Sequence, residues 1–588
     1  MKSMTHLKPL TPTLTAADSN AIPDRRGANF FDDDPQLQAL LKLYLPTKLH
    51  AHLLPHFEAL GALAGGALDT LAYTADQNPP TLTHRSRTGQ EVQSVVKHPA
   101  FVQMERLAFS SFGLAAMSHR SGVFAWPEPL PPVAKYALTY LFVQAEFGLC
   151  CPVSMTDSLA RTLRKFGSPA LVERYLPGLI SQDMESLAQG AMFMTEQGAG
   201  SDVAATATQA EAVGYLTEGT DPAGAWRLTG DKWFCSNPDA ELAMVLARTG
   251  DASLGIRGVS LFLLPRRLAD GSANRYRIVR LKDKLGTRSM ASGEIQLHGA
   301  LAWMVGEEGR GFVQMADMVN NSRLSNGVRA AGLMRRSVGE ALFIAQHREA
   351  FGKKLAALPL MQRQLMKLLL PAEAARTMMF QTAEALRRAD AGDAGAYPLV
   401  RILTPLIKFR ACRDARKVTG DAMEVRGGCG YIEEWGDARL VRDAHLGSIW
   451  EGTSNIVALD VLRAIRREDS LNALMLHLDQ LVAQSQISQP DLQQLLTTQA
   501  RVRTLAEAAA QAGGDHLART AATALYYLTA VIAMLWEAGQ ISCASRMRMA
   551  LLLLKHRLLP ADPLGDTRNP AGDTGVGDDF SLLFATVS

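Results

Sequence analysis

The feature that most constrains the fold is a change of hydrophobic period along the chain. From Pro35 to about Gln189, and again from about Phe312 onward, apolar residues recur at the i, i+3, i+4 spacing of amphipathic helices. Between about residues 191 and 300, short runs rich in β-branched and aromatic residues, such as WRLTGDKWFCS and GVSLFLLPR, are separated by Gly, Asn and Asp. Such runs are typical of strands. The sequence therefore predicts a mainly α protein with a central β-domain.

The length of 588 residues exceeds what one hydrophobic core supports, so several domains are expected. The pattern predicts five segments: a loosely structured N-terminal extension (1–35), a helical domain (36–190), a middle β-domain (191–305), a helical bundle (306–466), and an additional helical domain with a flexible tail (467–588). The first long bundle helix carries Gly327, Gly332 and Gly339, which permit close contact between helices. An uncharged run between Arg519 and Glu537 is too short to span a membrane and is predicted to be a buried helix.

Overall composition and charge give no indication of a nucleic-acid-binding or membrane-surface protein. The net charge of +3 is small for this length, and 47% of the residues are hydrophobic, as in ordinary globular proteins. The six cysteines form no CxxC pair, so we expect reduced, buried thiols. The N-terminus has neither an apolar nor an Arg-rich leader, and we expect a cytoplasmic protein with no membrane partner. The sequence contains no HExxH, Walker A or GxSxG motif, and no metal site is expected.

Two short stretches could bind a flat ligand. Met194–Asp202 reads MTEQGAGSD, in which the Gly-Ala-Gly lets a ligand approach the backbone while Thr195 and Ser201 supply hydroxyls. Further along the chain, KWFCSN supplies an aromatic side chain and another hydroxyl. An aromatic wall with backbone donors suits an isoalloxazine ring. Each stretch alone is also explained by an ordinary turn or strand.

Two stretches at the ends of the long bundle helices could approach a pyrophosphate. HREAFGKK contains Arg348, whose guanidinium suits bidentate contact with phosphate oxygens. VRGGCGY, at residues 425–431, contains three glycines where one would serve as a helix C-cap. A solvated, charged helix end and a simple loop are the respective alternatives.

Glu451 lies between Trp450 and a Gly-Thr turn in IWEGTSNI, directly before an apolar helix. In a structural role, it would pair with Arg442 or Arg463 or would cap the following helix. In a catalytic role, an apolar setting would favour its neutral form and poise it as a general base near the working pH. The residue alone leaves both roles open.

Taken in order, these stretches resemble the acyl-CoA dehydrogenase superfamily, and within it the AidB-like branch. The matching stretches between about residues 190 and 460 are MTEQGAGSDV, GDKWFCSN, LKDKLGTRSMAS, VGEEGRGF, REAFGKK, RGGCGYIEEW, LVRDA and IWEGTSNI. The features similar to the AidB-like branch are KWFCSNPDAELAMVLA, QNPPTL, LCCPVSMT and the helical domain after residue 467. The resemblance implies an N-terminal helical domain, a small β-barrel domain, a C-terminal four-helix bundle and an extra C-terminal helical domain.

The resemblance also implies a homotetramer with FAD held between the β-domain and the bundle. In the β-domain, Met194 and Thr195 would face the flavin ring, Gly200 and Ser201 would lead toward the pyrophosphate, and Phe234 and Ser236 would hold the other side of the ring. In the bundle, Arg348 and Phe351 of a neighbouring subunit and the backbone of Gly427 and Gly428 would reach the adenosine pyrophosphate, while Thr453 and Asn455 would complete the site.

The implied reaction is the α,β-dehydrogenation of an acyl-CoA thioester. In it, Glu451 would remove the α-proton while a hydride leaves the β-carbon for flavin N5. One subgroup of the family, which includes isovaleryl-CoA dehydrogenase, places its base on the first bundle helix. The corresponding position here is Ser322, and a serine cannot act as the base unaided. The sequence specifies neither the acyl chain nor the electron-transfer partner.

Two other functions stay open. AidB-like proteins are associated with binding duplex DNA through the C-terminal domain in the adaptive response to alkylation, and an acyl-binding flavoprotein without turnover would use the same scaffold. Residues 461–560 contain 10 Lys and Arg against 7 Asp and Glu, a mild net charge of +3. A basic stripe would contact DNA or, in the blander interpretation, would be a solvated helix face; its members are Arg546, Arg548, Lys555 and Arg557.

Overall fold

The computed structural model describes residues 21–214, 224–560 and 576–584. They divide into two compact units. The first comprises the residues up to Asp69, Pro131–Ala145 and the chain from Arg323 onward, and the second comprises Thr70–Leu130 and Glu146–Ser322. Helices dominate and a sheet occupies the middle of the sequence, which confirms the predicted fold class.

The helices and strands of the described residues are as follows. The helices are α1 (Pro35–Tyr44), α2 (Thr47–Gly65), α3 (Ala67–Gln77), α4 (Pro99–Glu105), α5 (Pro132–Phe142), α6 (Cys150–Phe166), α7 (Pro169–Leu179), α8 (Gly311–His347), α9 (Pro359–Asp390), α10 (Ala396–Arg426), α11 (Gly436–Gly447), α12 (Ser454–Arg467), α13 (Ser470–Ala483), α14 (Gln489–Ala510), α15 (Ala518–Gln540), α16 (Ala544–Leu553) and α17 (Val576–Phe584). The strands are β1 (Thr81–Arg85), β2 (Glu91–Val96), β3 (Gly190–Phe193), β4 (Gln209–Gly214), β5 (Ala225–Ser236), β6 (Leu242–Arg248), β7 (Val259–Pro265), β8 (Tyr276–Leu281), β9 (Ser292–Met304), β10 (Glu349–Ala350) and β11 (Lys353–Lys354).

Long helices form the centre of the first unit, where α10 packs against α9, α11, α12, α13 and α15. Gly327 of α8 lies against α10, because a Cβ added there would come within 2.7 Å of Ile407 Cγ1. Gly332 lies against α5, where the same added atom would be 2.8 Å from the Tyr140 carbonyl oxygen. The predicted close contact between helices is therefore confirmed, since a larger side chain at either glycine would require the helices to separate.

Helix α15 contains the long uncharged run. It lies in the one span of the described residues, Gly514–Gln540, that is long and apolar enough to cross a membrane, and 83% of the most apolar window is buried inside the structure. Leu525, Ile532 and Leu535 are at most 1% exposed. The run is a core helix, as the sequence predicts.

Strands β3 to β9 form the predicted β-domain in the second unit. The pairing runs from β6 to β7, β9, β5 and β4 and returns to β6, so the sheet closes on itself into a small barrel, as expected. β3 extends this sheet in parallel with β6, and β8 pairs with β9. The barrel core includes Leu228, Val245, Phe262 and Ile295, none more than 1% exposed.

The antiparallel hairpin formed by β1 and β2 is not indicated by the sequence pattern, which is mostly helical from Pro35 to Gln189. Its residues are exposed or half-buried, so neither strand has a buried face. A strand without a buried face has no strong apolar alternation, and periodicity therefore cannot reveal it.

The N-terminal extension is only partly within the described residues, because residues 1–20 lie outside them. Residues 21–34 contain no helix or strand, yet Phe30 and Phe31 are buried. The ring of Phe31 stacks on that of Phe57, with centroids 5.7 Å apart. The expectation of loose structure is wrong for this segment, because two aromatic side chains anchor it to the helices that follow.

The expected flexible tail contains helix α17. Residues 561–575 and 585–588 lie outside the described residues, but Val576–Phe584 forms a helix with Phe584 buried. Asp579 of this helix pairs with Arg548 at 2.6 Å. The prediction of a flexible tail is therefore wrong for this part, because α17 contributes both an apolar and a charged contact to the first unit.

Arg546 does not belong to an exposed basic stripe. Its side chain is fully buried, and its guanidinium lies 2.6 Å from Glu537 and 3.1 Å from Glu373. Glu373 also binds Arg376, which pairs with Asp34 at 2.7 Å. We call these residues the buried ion cluster. Both interpretations of the stripe, DNA contact and solvated face, are wrong for Arg546, since its side chain is buried against two carboxylates.

Candidate active site

Glu451 lies on a turn between α11 and α12. Its φ of 54° is in the left-handed region, and Gly452 follows with a φ of 102°. Such a conformation costs a residue with a Cβ about 1–2 kcal/mol, so the surrounding structure must hold it. The N-cap of α12 is Thr453, which makes no side-chain capping bond. Thr453, and not Glu451, therefore occupies the N-cap position of α12.

Side chains from two bundle helices hold this turn. Asn326 of α8 donates from Nδ2 to the Glu451 carboxylate at 2.5 Å. Arg323 of α8 donates from Nε to the Glu451 carbonyl oxygen at 3.1 Å. Lys408 of α10 donates from Nζ to the Gly452 carbonyl oxygen at 2.6 Å. The carboxylate and the backbone on which it stands are thus fixed separately.

The setting of Glu451 is not the apolar one that the sequence suggests. Glu451 is half-buried, and its charge interacts with two cations, Arg323 of α8 and Lys408 of α10. The guanidinium carbon of Arg329 lies 4.7 Å from the centroid of the Trp450 ring. A cation therefore covers the apolar residue that precedes Glu451 in the motif. The sequence missed these contacts because Asn326 lies 125 positions from Glu451.

The two arginines that the sequence offers as structural partners of Glu451 bind other carboxylates. Arg442 lies 2.5 Å from Glu433, and Arg463 lies 2.9 Å from Asp460. Asp460 also pairs with Arg323 at 2.8 Å, and this ion pair orients the guanidinium that holds the Glu451 backbone. Helix α12 therefore supports the turn through Arg323.

In the second unit, the two stretches proposed for a flavin ring lie side by side. The Trp233 amide donates to the Thr195 carbonyl oxygen at 2.8 Å, which places Met194 and Thr195 next to Phe234 on β5. The Phe234 side chain is 57% exposed, so its ring is available to a ligand. Ser236, at the end of β5, has its Oγ 3.4 Å from that of Ser292.

The loop that carries Gly200 and Ser201 is exposed, and a Cβ added at Gly200 would meet no atom within 4 Å. The loop is anchored by Glu196, a residue that the sequence analysis missed. Its carboxylate accepts bonds from Lys232 Nζ and Thr208 Oγ1, both at 2.6 Å. Burial acts against ionisation, but these bonds and the charge of Lys232 hold the pKa of Glu196 below its ordinary value. The spacing of Glu196 and Lys232 contains no signal for this pairing.

In the first unit, Arg348 and the glycine-rich stretch lie together. Arg348 Nη1 donates to the Arg426 carbonyl oxygen at 3.1 Å, and Gly427 follows with a φ of 72°. A Cβ added at Gly428 would meet no atom within 4 Å, so its backbone is open to a ligand. Phe351, on the turn between β10 and β11, is 93% exposed.

Thr453 and Asn455, the last two predicted cofactor contacts, lie within four positions of Glu451 at the start of α12 and are exposed. The twelve predicted residues therefore fall into two groups, one in each unit. The members in the second unit are Met194, Thr195, Gly200, Ser201, Phe234 and Ser236, and those in the first are Arg348, Phe351, Gly427, Gly428, Thr453 and Asn455.

Comparison with known proteins assigns the chain to a family. Three family models match: the N-terminal domain of the adaptive response protein AidB over residues 20–186, the acyl-CoA dehydrogenase middle domain over 191–300, and the acyl-CoA dehydrogenase C-terminal domain over 309–466. The AidB protein of Escherichia coli (strain K12) is 35% identical over 417 residues, which cover 69% of this chain and 72% of AidB. The chain belongs to the acyl-CoA dehydrogenase family.

Solved structures of other acyl-CoA dehydrogenases share the fold. Caenorhabditis elegans ACDH-11, determined in complex with C11-CoA, superposes with a TM-score of 0.82 at 26% identity and covers 94% of this chain and 97% of its own. A Bacillus anthracis acyl-CoA dehydrogenase complexed with FAD gives a TM-score of 0.63 at 20% identity, covering 83% and 82%. The match of the AidB N-terminal model and the identity to AidB place the chain in the AidB-like branch.

In this chain, the alternative position that the resemblance offers for the base is Ser322. It lies on α8 with its side chain fully buried. Of the two positions at which the resemblance places a base, this chain therefore has a carboxylate at one, Glu451, and a hydroxyl at the other.

Proposed function

We propose that this chain is an FAD-dependent oxidoreductase that dehydrogenates an acyl-CoA thioester, with Glu451 as the base. The observation that carries the proposal is the fixed position of the Glu451 carboxylate. It stands on a left-handed turn and accepts a short hydrogen bond from Asn326, while Arg323 and Lys408 hold the backbone. A base fixed in this way is already oriented before substrate binds, which is a large part of what a catalytic group contributes.

The residues assigned to FAD have the properties that the cofactor requires. Gly200 and Gly428 leave backbone open to close approach, which suits a pyrophosphate or the edge of a flat ring. The exposed ring of Phe234 provides a face for stacking, and Arg348 provides a cation for the phosphates. Membership of the acyl-CoA dehydrogenase family supports the same cofactor.

The Glu451 carboxylate would accept the proton from the α-carbon of the thioester, and the electron pair of that C–H bond would form the new α,β double bond. When bound, the flavin supplies the acceptor for the hydride that leaves the β-carbon. The Arg323 and Lys408 contacts keep the turn in place while Glu451 passes from the charged to the neutral state. The positive charges of Arg323 and Lys408 oppose this change, because they attract the charged carboxylate.

Acyl-CoA is the proposed substrate class, and the solved complex of ACDH-11 with C11-CoA supports it. We propose a homotetramer in which Arg348 and Phe351 serve the cofactor of a neighbouring subunit. The 93% exposure of Phe351, on a turn with a φ of 53°, is consistent with a side chain that another chain covers.

Replacing Glu451 by Gln tests the assignment of the base. The amide keeps the shape of the side chain but cannot accept the α-proton, so flavin reduction by acyl-CoA should slow by about 10²–10⁴-fold while FAD stays bound. The measurement is anaerobic mixing of the purified flavoprotein with acyl-CoAs of several chain lengths, followed by its visible absorbance.

Glu507→Gln is the matched control, since this exposed glutamate of α14 pairs with Arg503. It should leave flavin reduction unchanged. Undiminished bleaching in Glu451→Gln would remove Glu451 as the base. Tight acyl-CoA binding to the wild type without any bleaching would instead favour the acyl-binding function without turnover.

Duplex DNA binding is a second candidate, and a basic groove in the first unit favours it. A cavity of about 540 Å³ lies between α14, α15 and the turn after α16, with Arg501, Arg519 and Arg557 among its lining residues. Among the described residues, these three arginines form no ion pair with a carboxylate. Burial and the neighbouring Arg519 lower the pKa of Arg413. Arginines without a carboxylate partner suit a phosphate backbone.

Replacing both Arg501 and Arg519 by Gln tests DNA binding. If each contacts one phosphate, the slope of log K against log salt should fall by about 2, because fewer counterions are released. The measurement is fluorescence anisotropy of a labelled duplex at several salt concentrations. Arg503→Gln is the control, because Arg503 is on the same helix but pairs with Glu507. Equal slopes for the double variant and the wild type would exclude this groove as the DNA site.

A further inference from the structure

Lys408 is a buried lysine whose position needs an explanation. It lies in the middle of α10 with 1% of its surface exposed, and lysine is rarely buried so completely. Its ammonium donates to a backbone carbonyl, that of Gly452, at 2.6 Å. Burying an ammonium without a carboxylate bonded to it is costly. A role at the Glu451 turn would explain why the residue is tolerated there.

Lys408 is the residue through which α10 holds the Glu451 turn. Arg323 and Asn326 hold Glu451 itself from α8, whereas Lys408 holds the next residue along the chain. One helical turn further, the Cys412 thiol lies 3.6 Å from the Asn326 carbonyl oxygen. The same face of α10 therefore contacts both the turn and the helix that binds the carboxylate.

The charged and titratable groups that face Lys408 come from three elements. They are Cys412 on its own helix, Arg323 and Arg329 on α8, and Glu451 on the turn. Burial lowers the pKa of Lys408 to about 8, with Arg323 and Arg329 adding to the effect and Cys412 and Glu451 opposing it. The side chain therefore carries its charge at neutral pH and loses it as the pH rises through about 8.

We propose that Lys408 is a positioning residue for Glu451, which fixes the turn through the Gly452 carbonyl and, by its charge, controls how readily Glu451 takes the substrate proton. The proposal rests on the proposed function of Glu451 as a base. Lys408 itself transfers no proton in the reaction; the proton passes from the α-carbon to the Glu451 carboxylate.

The direction of the pH effect follows from the charges. The Lys408 ammonium and the Glu451 carboxylate attract each other, and this attraction is lost when the carboxylate takes up the substrate proton, so the charge of Lys408 opposes the transfer. Above the pKa of Lys408, the neutral amine still donates an N–H to the Gly452 carbonyl oxygen, but the opposing charge is gone. The turn keeps its geometry while the proton transfer becomes easier.

The test compares wild type with Lys408→Met and Lys408→Arg. In anaerobic stopped-flow mixing with an acyl-CoA that reduces the wild type, the rate of flavin reduction should rise about tenfold between pH 7 and 9, with a midpoint near 8. Lys408→Met has no charge and Lys408→Arg always has one, so neither should show the step. If Lys408 had a purely structural role, its replacement would lower the rate of flavin reduction at every pH and leave the step in place. A step near pH 8 that persists in Lys408→Met overturns the proposal.

A measurement that does not depend on turnover separates failure of this proposal from failure of the proposed function. Because the pKa of Lys408 is lower in the folded chain than the ordinary value of 10.5, the unfolded chain binds its proton more tightly. The urea midpoint of wild type should therefore rise, relative to Lys408→Met, between pH 8 and 10. A constant difference between the two proteins across this range also overturns the proposal. If no acyl-CoA reduces the wild-type flavin but the midpoint rises, the proposed function fails while the titration of Lys408 stands.

Discussion

Gly452 shows how much the position of Glu451 depends on one neighbouring residue. Its φ of 102° is a conformation that side chains rarely adopt, and a Cβ there would lie 3.2 Å from Val457 Cγ2 and 3.4 Å from Arg323 Nη2. Two effects, backbone strain and crowding of the guanidinium that holds Glu451, would therefore act together at this position.

Replacing Gly452 by Ala should cost about 1–3 kcal/mol of stability through backbone strain and slow flavin reduction further by displacing Arg323. Urea unfolding measures the first effect and anaerobic flavin reduction the second. Gly392→Ala is the control, since Gly392 has a φ of 87° but a Cβ there meets no atom within 4 Å. Similar losses of stability are expected in both variants. An equal loss of reduction rate in both would show that the crowding at Gly452 has no effect on catalysis.

At the scale of single residues, the sequence indicated the Glu451 carboxylate but not the residues that surround it. Glu451 stands out in IWEGTSNI because a charged residue lies among apolar ones. Asn326 and Lys408 lie in ordinary amphipathic helices, where neither spacing nor composition distinguishes them from other polar residues. A charged setting was mistaken for an apolar one because the charges come from elsewhere in the chain.

Among the elements, the loop that carries Gly200 and Ser201 depends on the β-barrel beneath it. Lys232 of β5 is fully buried and donates at 2.6 Å to Glu196 and at 2.7 Å to the Leu246 carbonyl oxygen of β6. The loop is thus tied to two strands through one cation. A ligand bound at the loop would meet a backbone whose position the barrel determines.

Replacing Glu196 by Gln should destabilise the protein by about 3–5 kcal/mol, because it leaves the buried ammonium of Lys232 without its counter-charge. Adding Lys232→Met should restore a large part of the loss, since the double variant buries no charge there. Urea unfolding of the single and double variants measures both changes. Glu211→Gln, at an exposed position of β4, is the control and should stay within about 0.5 kcal/mol of wild type. If Glu196→Gln behaves like that control, the ion pair does not support the loop.

The elements themselves were largely predictable wherever one face is buried. The long helices α8 and α10 and the core strands β6 and β7 follow the expected periods, since their apolar residues pack inward. The hairpin of β1 and β2 has no buried face, and α17 is a nine-residue helix beyond a stretch rich in Gly, Pro and Asp. Both depend on contacts distant in sequence and left no readable periodicity.

For the whole molecule, the order of helical, β and helical regions and the family could be inferred from the sequence, because eight motifs occur in the expected order. The basic surface could be inferred only in part. The stripe expected from sequence included Arg557, which lines the groove, but it also included the buried Arg546 and omitted Arg501 and Arg519, which come from two other helices. Counting charges along a segment gives its net charge but not the side of the helix on which each charge lies.

The buried ion cluster has a consequence for how the chain is made. It joins Asp34, near the start, to Arg546, and Gln36 also donates to Ser545 at 3.1 Å across 509 positions. Asp34 and Arg376 can pair as soon as α9 has left the ribosome, but Glu373 lacks Arg546 until α16 has been synthesised. The ion cluster is therefore completed only after all of the polypeptide between Asp34 and Arg546 has been made.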